Sequence, residues 1–333
     1  MKTLVTGAGG FLGRHVVAQL LERGDEVRGI ARGDYPELAE QGVEMLRVDV
    51  RDRDAVVAAC QGVDVVFHTA AVPGIWGSWE HYHGINTVGT ESVLAGCRAH
   101  GVERLVYTSS PSVTFDGDHQ CGIGPEAPYA SRWLCHYPHT KALAEQQVLA
   151  ANGTEGLWTC ALRPHLIWGP GDPHLIPRLI ARRRAGRLRR VGDGTNLIDM
   201  VYVDNAAAAH LQAAEALGPE RAASGKAYFL TQGEPVNCWD WIDELLALAG
   251  LEPVRGAVSV AMASRVGAVC EAVYRTLGVK AEPPMTRFLA LQLGKSHYFD
   301  ISAAQRDFGY QPAVSTTEGM RRVGAWLDSL PRN

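Results

Sequence analysis

Tyr137 and Lys141, four residues apart in Tyr137-Pro138-His139-Thr140-Lys141, are the pair of side chains best suited to chemistry. On a helix, positions i and i+4 share a face, so a phenol and an ammonium project together. A phenol titrates near pH 10 and is a poor acid or base at neutral pH, and a close ammonium favours the phenolate. Tyr137 is thereby suited to give a proton to a carbonyl oxygen, or to take one from an alcohol in reverse. Lys141 is also placed to hold a nicotinamide ribose, and Pro138 falls in a first helical turn, where proline is tolerated. Upstream, Val106-Tyr107-Thr108-Ser109-Ser110 reads as a strand ending in hydroxyls. Ser110 is the first choice to hold the substrate oxygen and share the task of Tyr137, with Ser109 and Ser112 as rivals.

These groups need a hydride carrier beside them, and the start of the chain supplies its cradle. In Lys2-Thr3-Leu4-Val5-Thr6-Gly7-Ala8-Gly9-Gly10-Phe11-Leu12-Gly13 a short apolar strand runs into a glycine turn. A helix-spaced stretch with Val16, Val17, Leu20 and Leu21 follows. Strand, glycine turn and helix is the context that a dinucleotide fingerprint requires. Gly7 permits the turn, Gly10 admits a pyrophosphate close to the backbone, and Gly13 lets helix and strand approach. Phe11 and Leu12 are counted among the cofactor contacts, and the helix read from Arg14 to Arg23 offers its free N–H groups to the diphosphate. At the tip of the second strand, where an acid would hold the ribose of NAD, stands Ala31-Arg32-Gly33. A guanidinium there suits the extra phosphate of NADP(H). Asp49 and Val50 end the third strand, where adenine is expected. Thr69, Ala70 and Ala71 end the fourth, leaving room for the cofactor.

The elements alternate through the first half. Strands are predicted at Glu26–Ile30, Val43–Val50, Val65–Thr69 and Arg104–Thr108, with helices at Arg53–Gln61 and Trp79–His100. Such alternation implies a doubly wound α/β fold with a parallel sheet. The breaker cluster Gly169-Pro170-Gly171-Asp172-Pro173 marks a crossing into a second lobe. Residues 1–168 are assigned to nucleotide binding, with 201–232 returning to that domain. Residues 169–200 and 233–313 form a smaller substrate lobe, and 314–333 a C-terminal helix and tail.

A net charge of −4 over 333 residues argues against a nucleic-acid partner. Seven scattered cysteines with no C-x-x-C pair fit reduced thiols in the cytoplasm rather than a disulfide or metal framework. No leader is read ahead of the first strand, and no apolar run is long enough to span a membrane. His136, His139 and His165 lack metal-ligand spacing and read as polar neighbours. The run Arg182-Arg183-Arg184 with Arg187, Arg189 and Arg190 reads as a solvated face, with docking of an acidic partner or steering of a carboxylate substrate as the alternatives. Val260–Leu277, apolar but broken by Arg265, Glu271 and Arg275, reads as a helix capping the lobe, with a lipid surface or a partner protein as the alternatives.

Taken together, Thr6-Gly7-x-x-Gly10-x-x-Gly13, the Ser110/Tyr137/Lys141 set and Arg163-Pro164 resemble the extended short-chain dehydrogenases/reductases, and more narrowly their 3β-hydroxysteroid dehydrogenase branch. The resemblance implies a Rossmann-type sheet with a C-terminal substrate lobe. It sets Pro164 to Ile167 against the nicotinamide and lets Asn86 steady the site. Val106 to Val113, Leu162 to Asp172 and Val191 to Asn205 resemble the part of that branch that reduces the 3-oxo group of 2-alkyl-3-oxoalkanoic acids in bacterial olefin biosynthesis. Segment 115–134 departs from the pattern. A hydrophobic 3-oxo acid is the substrate thus implied, with a 3β-hydroxysteroid or 4-carboxysterol as the alternative. Alkyl tails would need an apolar pocket, for which Trp76, Trp79, Trp133, Trp168 and Val258 to Leu277 are candidates. A sugar-nucleotide dehydratase would place an acidic pair where Pro111-Ser112 stands, and a non-catalytic scaffold would be expected to lose Tyr137 or Lys141. A homodimer and an assembly with pathway enzymes both stay open.

Overall fold

The computed structural model describes residues 1–331. Its centre is a seven-stranded parallel sheet: β1 (Lys2–Thr6), β2 (Glu26–Ala31), β3 (Glu44–Arg47), β4 (Val65–His68), β5 (Arg104–Thr108), β6 (Trp158–Pro164) and β7 (Ala227–Leu230). The spatial order is β7-β6-β5-β4-β1-β2-β3, the doubly wound arrangement of a Rossmann-type fold. Reversal of strand order beside β1 opens a crevice at the carboxyl ends, where ligands bind in such sheets. The strands read as nearly continuous apolar runs because helices cover both faces.

On one face α1 (Phe11–Glu22) buries Val16, Val17 and Leu20 against the alanine-rich helix Val203–Glu215. On the other, α2 (Gly89–His100) and α3 (His136–Ala150) bury Val93, Leu94, Cys97, Ala144 and Val148. A third cluster, built on Trp168, Trp239, Trp241, Leu245 and Val323, forms the core of the second lobe.

Four details differ from the sequence reading. The third strand is Glu44–Arg47 rather than Val43–Val50, because the chain turns away so that Asp49 can accept bonds from Arg51. The stretch expected as one helix from Trp79 to His100 is a short α-turn, a π-helical turn at His83–Val88, and then α2. Val201–Tyr202 pairs with Ile167–Trp168 instead of the main sheet. Gln120–Ile123, read as part of the nucleotide domain, pairs with His297–Phe299 in a four-stranded sheet with Leu197–Ile198 and Val236–Asn237. These short strands carry too few residues for a period, and their partners lie far away in sequence.

Candidate active site

The glycine turn closes on itself: the Gly10 N–H donates to the Gly7 carbonyl at 2.8 Å, and Gly7 has φ +71°. A Cβ on Gly13 would stand 2.1 Å from the Gly7 oxygen, so only glycine lets α1 begin this close to β1. Gly10 precedes α1 without a side-chain cap, which leaves the first N–H groups of the helix for an anion. Thr6 fastens the turn to β4: its hydroxyl meets His68 Nδ1 at 2.7 Å and accepts the Ala70 N–H, while Thr69 Oγ1 donates to the Thr6 carbonyl.

A cavity of about 910 Å³ lies over these strand ends. Gly7, Gly10, Phe11, Leu12, Gly13, Arg32, Asp49, Val50, Thr69, Ala70, Ala71, Ser110, Tyr137, Lys141, Pro164 and Ile167 all line it. Asn86, expected among the cofactor contacts, does not line it. Its side chain accepts the Val72 N–H at 2.8 Å and donates to the Val72 carbonyl and to Thr140 Oγ1. Thr87 donates to the Thr140 carbonyl. The π-helical turn thus ties the Ala71–Val72 wall to the first turn of α3, so Asn86 acts through its neighbours.

At one end of the cavity Arg32 is exposed, and it has no ion-pair partner among the described residues. The nearby Asp34 instead pairs with Arg47 at 3.7 Å. Asp49 forms a two-pronged pair with Arg51, whose hydrogen bonds hold its carboxyl below the ordinary range. No carboxylate stands at position 31 or 32 to repel a phosphate. The open N–H groups, the glycine cradle and the free guanidinium fit a dinucleotide.

At the other end Tyr137 is half-buried beside Ser110. Burial holds its phenol above the ordinary value, Ser110 pulls it down, and Cys135 pushes it up. Ser110 Oγ lies 2.8 Å from Ser112 Oγ and accepts the Ser112 N–H. The Ser109 hydroxyl, in contrast, is buried and unpartnered. Lys141 is almost wholly buried; its Nζ donates to the Thr108 carbonyl at 2.5 Å and stands 4.2 Å over the Tyr107 ring. That burial draws its pKa down to about 7, against the opposing pull of Glu145. The expected lowering of the phenol by Lys141 is therefore not seen in the protein alone, because the ammonium is turned onto the strand end.

Behind these groups lies a pair that the sequence reading left out. Glu145 is fully buried and takes two hydrogen bonds from Arg163, at 2.5 and 3.1 Å, and a third from the Tyr129 hydroxyl. Glu145 stands four residues after Lys141, which places it on the same helix face, and that spacing is the signal that could have found it. His165 and His297 also line the cavity; burial keeps both imidazoles neutral, pulling His165 to about 3 and His297 to about 4. Of the proposed apolar-pocket residues, Trp168 sits in the lobe core against Tyr202 and Trp241. Trp79 packs on His83 and His139. Trp76 and Trp133 line a second cavity of about 990 Å³, which has Ile75 as a wall residue in common with the first.

Residues 4–258 match the model of the 3-beta hydroxysteroid dehydrogenase/isomerase family. The chain belongs to that family. Within it, the sequence is 52% identical to the 2-alkyl-3-oxoalkanoate reductase of Stenotrophomonas maltophilia, over 98% of this chain and 99% of that protein. It is 34% identical to the mouse sterol-4-alpha-carboxylate 3-dehydrogenase (decarboxylating), over 97% of this chain and 90% of that protein. Among solved structures it is similar to MoeE5 in complex with UDP-glucose and NAD, with a TM-score of 0.75 and 28% identity, over 98% and 99% of the two chains. The family member described here is thus an oxidoreductase with a site for a nicotinamide dinucleotide. No helix among its described residues is long and apolar enough to cross a membrane.

Proposed function

We propose that the protein is an NADP(H)-dependent reductase that converts the 3-oxo group of a hydrophobic 2-alkyl-3-oxoalkanoic acid to the 3-hydroxy acid. Carrying this reading is the 52% identity to a reductase of that name, end to end in both chains, on a cavity that gathers Ser110, Tyr137 and Lys141. A nicotinamide dinucleotide, when bound on the glycine cradle, would supply the hydride. Ser110 donates a hydrogen bond to the substrate carbonyl oxygen and holds it against Tyr137. The Tyr137 hydroxyl gives its proton to that oxygen as negative charge develops there. Lys141, on the same helix face and donating to the Thr108 carbonyl, would hold the ribose through its remaining N–H groups, and Asn86 fixes the turn that carries Tyr137. Arg32, with no carboxylate partner, supports NADP(H) over NAD(H) through its fit to a 2′-phosphate.

A parallel measurement of NADPH oxidation with a 2-alkyl-3-oxo acid, a 3-oxosteroid and a UDP-sugar tests the proposal. Turnover is expected with the acyclic acid first. Steroid turnover alone would move the reading to the sterol branch, to which the mouse relative belongs by name. Turnover of the UDP-sugar alone would overturn it.

A further inference from the structure

The helix Val260–Thr276 is built inside out for a water-soluble protein. Its inward positions are Ala263, Gly267 and Glu271, spaced by four. A Cβ on Gly267 would come within 2.5 Å of the Thr286 backbone, so the close packing on the following helix, Arg287–Gly294, demands a residue without one. The acid of this helix is turned inward too: Glu271 takes the Arg287 N–H at 2.7 Å and the Arg287 side chain at 2.9 Å. Its large apolar residues face out instead. Met262, Val266, Val269 and Val273, with Leu277 just beyond, are 45–70% exposed, and their spacing of four, three, four and four residues puts them on one stripe. Among the described residues, Met1, Leu197 and Leu330 are the other exposed large apolar side chains, and of these only Met1 reaches the range of the stripe.

The surroundings of the stripe are basic. Residues 174–192 and 252–287 hold twelve of the chain's 32 Lys and Arg but three of its 36 Asp and Glu. The two segments are held side by side: Arg190–Val191 pairs with Ala257–Val258, Arg183 donates to the Glu252 carbonyl, and Arg178 pairs with Glu282. On the exposed part of the helix the charges are Arg265 and Arg275. An apolar stripe rimmed by cations is the surface of a helix that lies in the headgroup region of an anionic bilayer. A second copy of the chain is disfavoured on the same ground, because a two-fold interface would set arginines against arginines.

The second cavity adds an independent observation. It lies between the end of this helix, at Tyr274, Arg275 and Lys280, and the Ile75–Ser78 loop, and Ile75 lines the first cavity too. Ile75 is a wall residue of both cavities, so the second stands between the neighbourhood of Tyr137 and the end of the apolar helix.

We propose that the outer face of Val260–Thr276, with its arginine rim, docks the protein on an anionic lipid surface. The docking stands independently of the substrate reading. The test is co-sedimentation of the NADPH-bound protein with phosphatidylglycerol/phosphatidylcholine vesicles and with phosphatidylcholine alone, at low and high salt. The protein is expected to pellet with the anionic vesicles, and less so at high salt. The double variant Val269→Glu/Leu277→Glu should stay in the supernatant while keeping NADPH binding and turnover of a short, soluble substrate. Arg265→Gln should weaken vesicle binding about fivefold. Wild-type protein that ignores anionic vesicles, or a double variant that pellets equally well, would overturn the docking. So would a solution dimer that Val269→Glu dissociates, since the face would then belong to a second copy. Vesicle binding without turnover of any 2-alkyl-3-oxo acid would leave the docking in place and remove the substrate reading alone.

Discussion

The two ends of the first cavity are built on opposite principles. Around Arg32 and Asp49 the charged groups are in water, and their interactions are screened and individually weak. Around Tyr137 every ionisable group is partly or wholly desolvated: Lys141 is drawn down, the phenol is held up, and Glu145 and Arg163 neutralise each other out of contact with solvent. One end selects a ligand by charge at little structural cost. The other holds chemistry in place with groups that destabilise the fold if any one of them loses its partner.

That contrast can be broken at several points. Tyr137→Phe should lower kcat by about 10²–10⁴-fold while leaving NADPH affinity within a few-fold by fluorescence titration; retained activity would remove the tyrosine as proton donor. Arg163→Met should lower unfolding free energy by about 3–5 kcal/mol by leaving Glu145 buried and charged without its cation, whereas Glu145→Leu/Arg163→Met should recover most of it. Equal losses in the single and double variants, measured by denaturant unfolding, would mean that packing rather than the ion pair is at stake. At the open end, Arg32→Ala should raise the KM for NADPH about tenfold, the low end for a charge-assisted contact, and leave that for NADH nearly unchanged. A matching rise for both cofactors would reverse the cofactor assignment.

Lys141 gives the smallest and most specific signal. Its value falls from 10.5 to about 7 on folding, so between those limits the unfolded chain holds a proton that the folded chain lacks. Stability therefore rises with pH across that window, and below it the buried ammonium is a cost in full. Relative to Lys141→Met, the cofactor-free protein should gain thermal stability between pH 7 and 10.5. A parallel pair of pH profiles would show that the ammonium keeps its water.

Much of this was legible in the sequence because the signals were local. The glycine turn needs a few consecutive residues, and Tyr137 and Lys141 share one helical turn. What escaped was non-local or exceptional. The pairing of Glu145 with Arg163 joins α3 to β6, and one-dimensional spacing does not join two elements. The π-helical turn inserts a residue into an otherwise regular period, and so it read as uninterrupted helix; Asn86 owes its inward position to that turn. Trp168 was considered for the pocket on its type alone, although its indole is enclosed by Tyr202 and Trp241. The Val260–Leu277 segment was correctly read as a helix, but its apolar period gave no hint of which side faced inward. Small residues at Ala263 and Gly267 carried that information.

The Gln120–Ile123 strand has a consequence for biosynthesis. Its pairing partner, His297–Phe299, leaves the ribosome only when most of the polypeptide has been made. Until then Gln120, one of the cavity walls, has nothing to bind along its edge, while all seven strands of the main sheet already exist. A nascent chain stalled before His297 should therefore carry a formed nucleotide cradle beside an unfinished substrate wall, and ribosome-bound intermediates should resist protease in the first part and yield in the second.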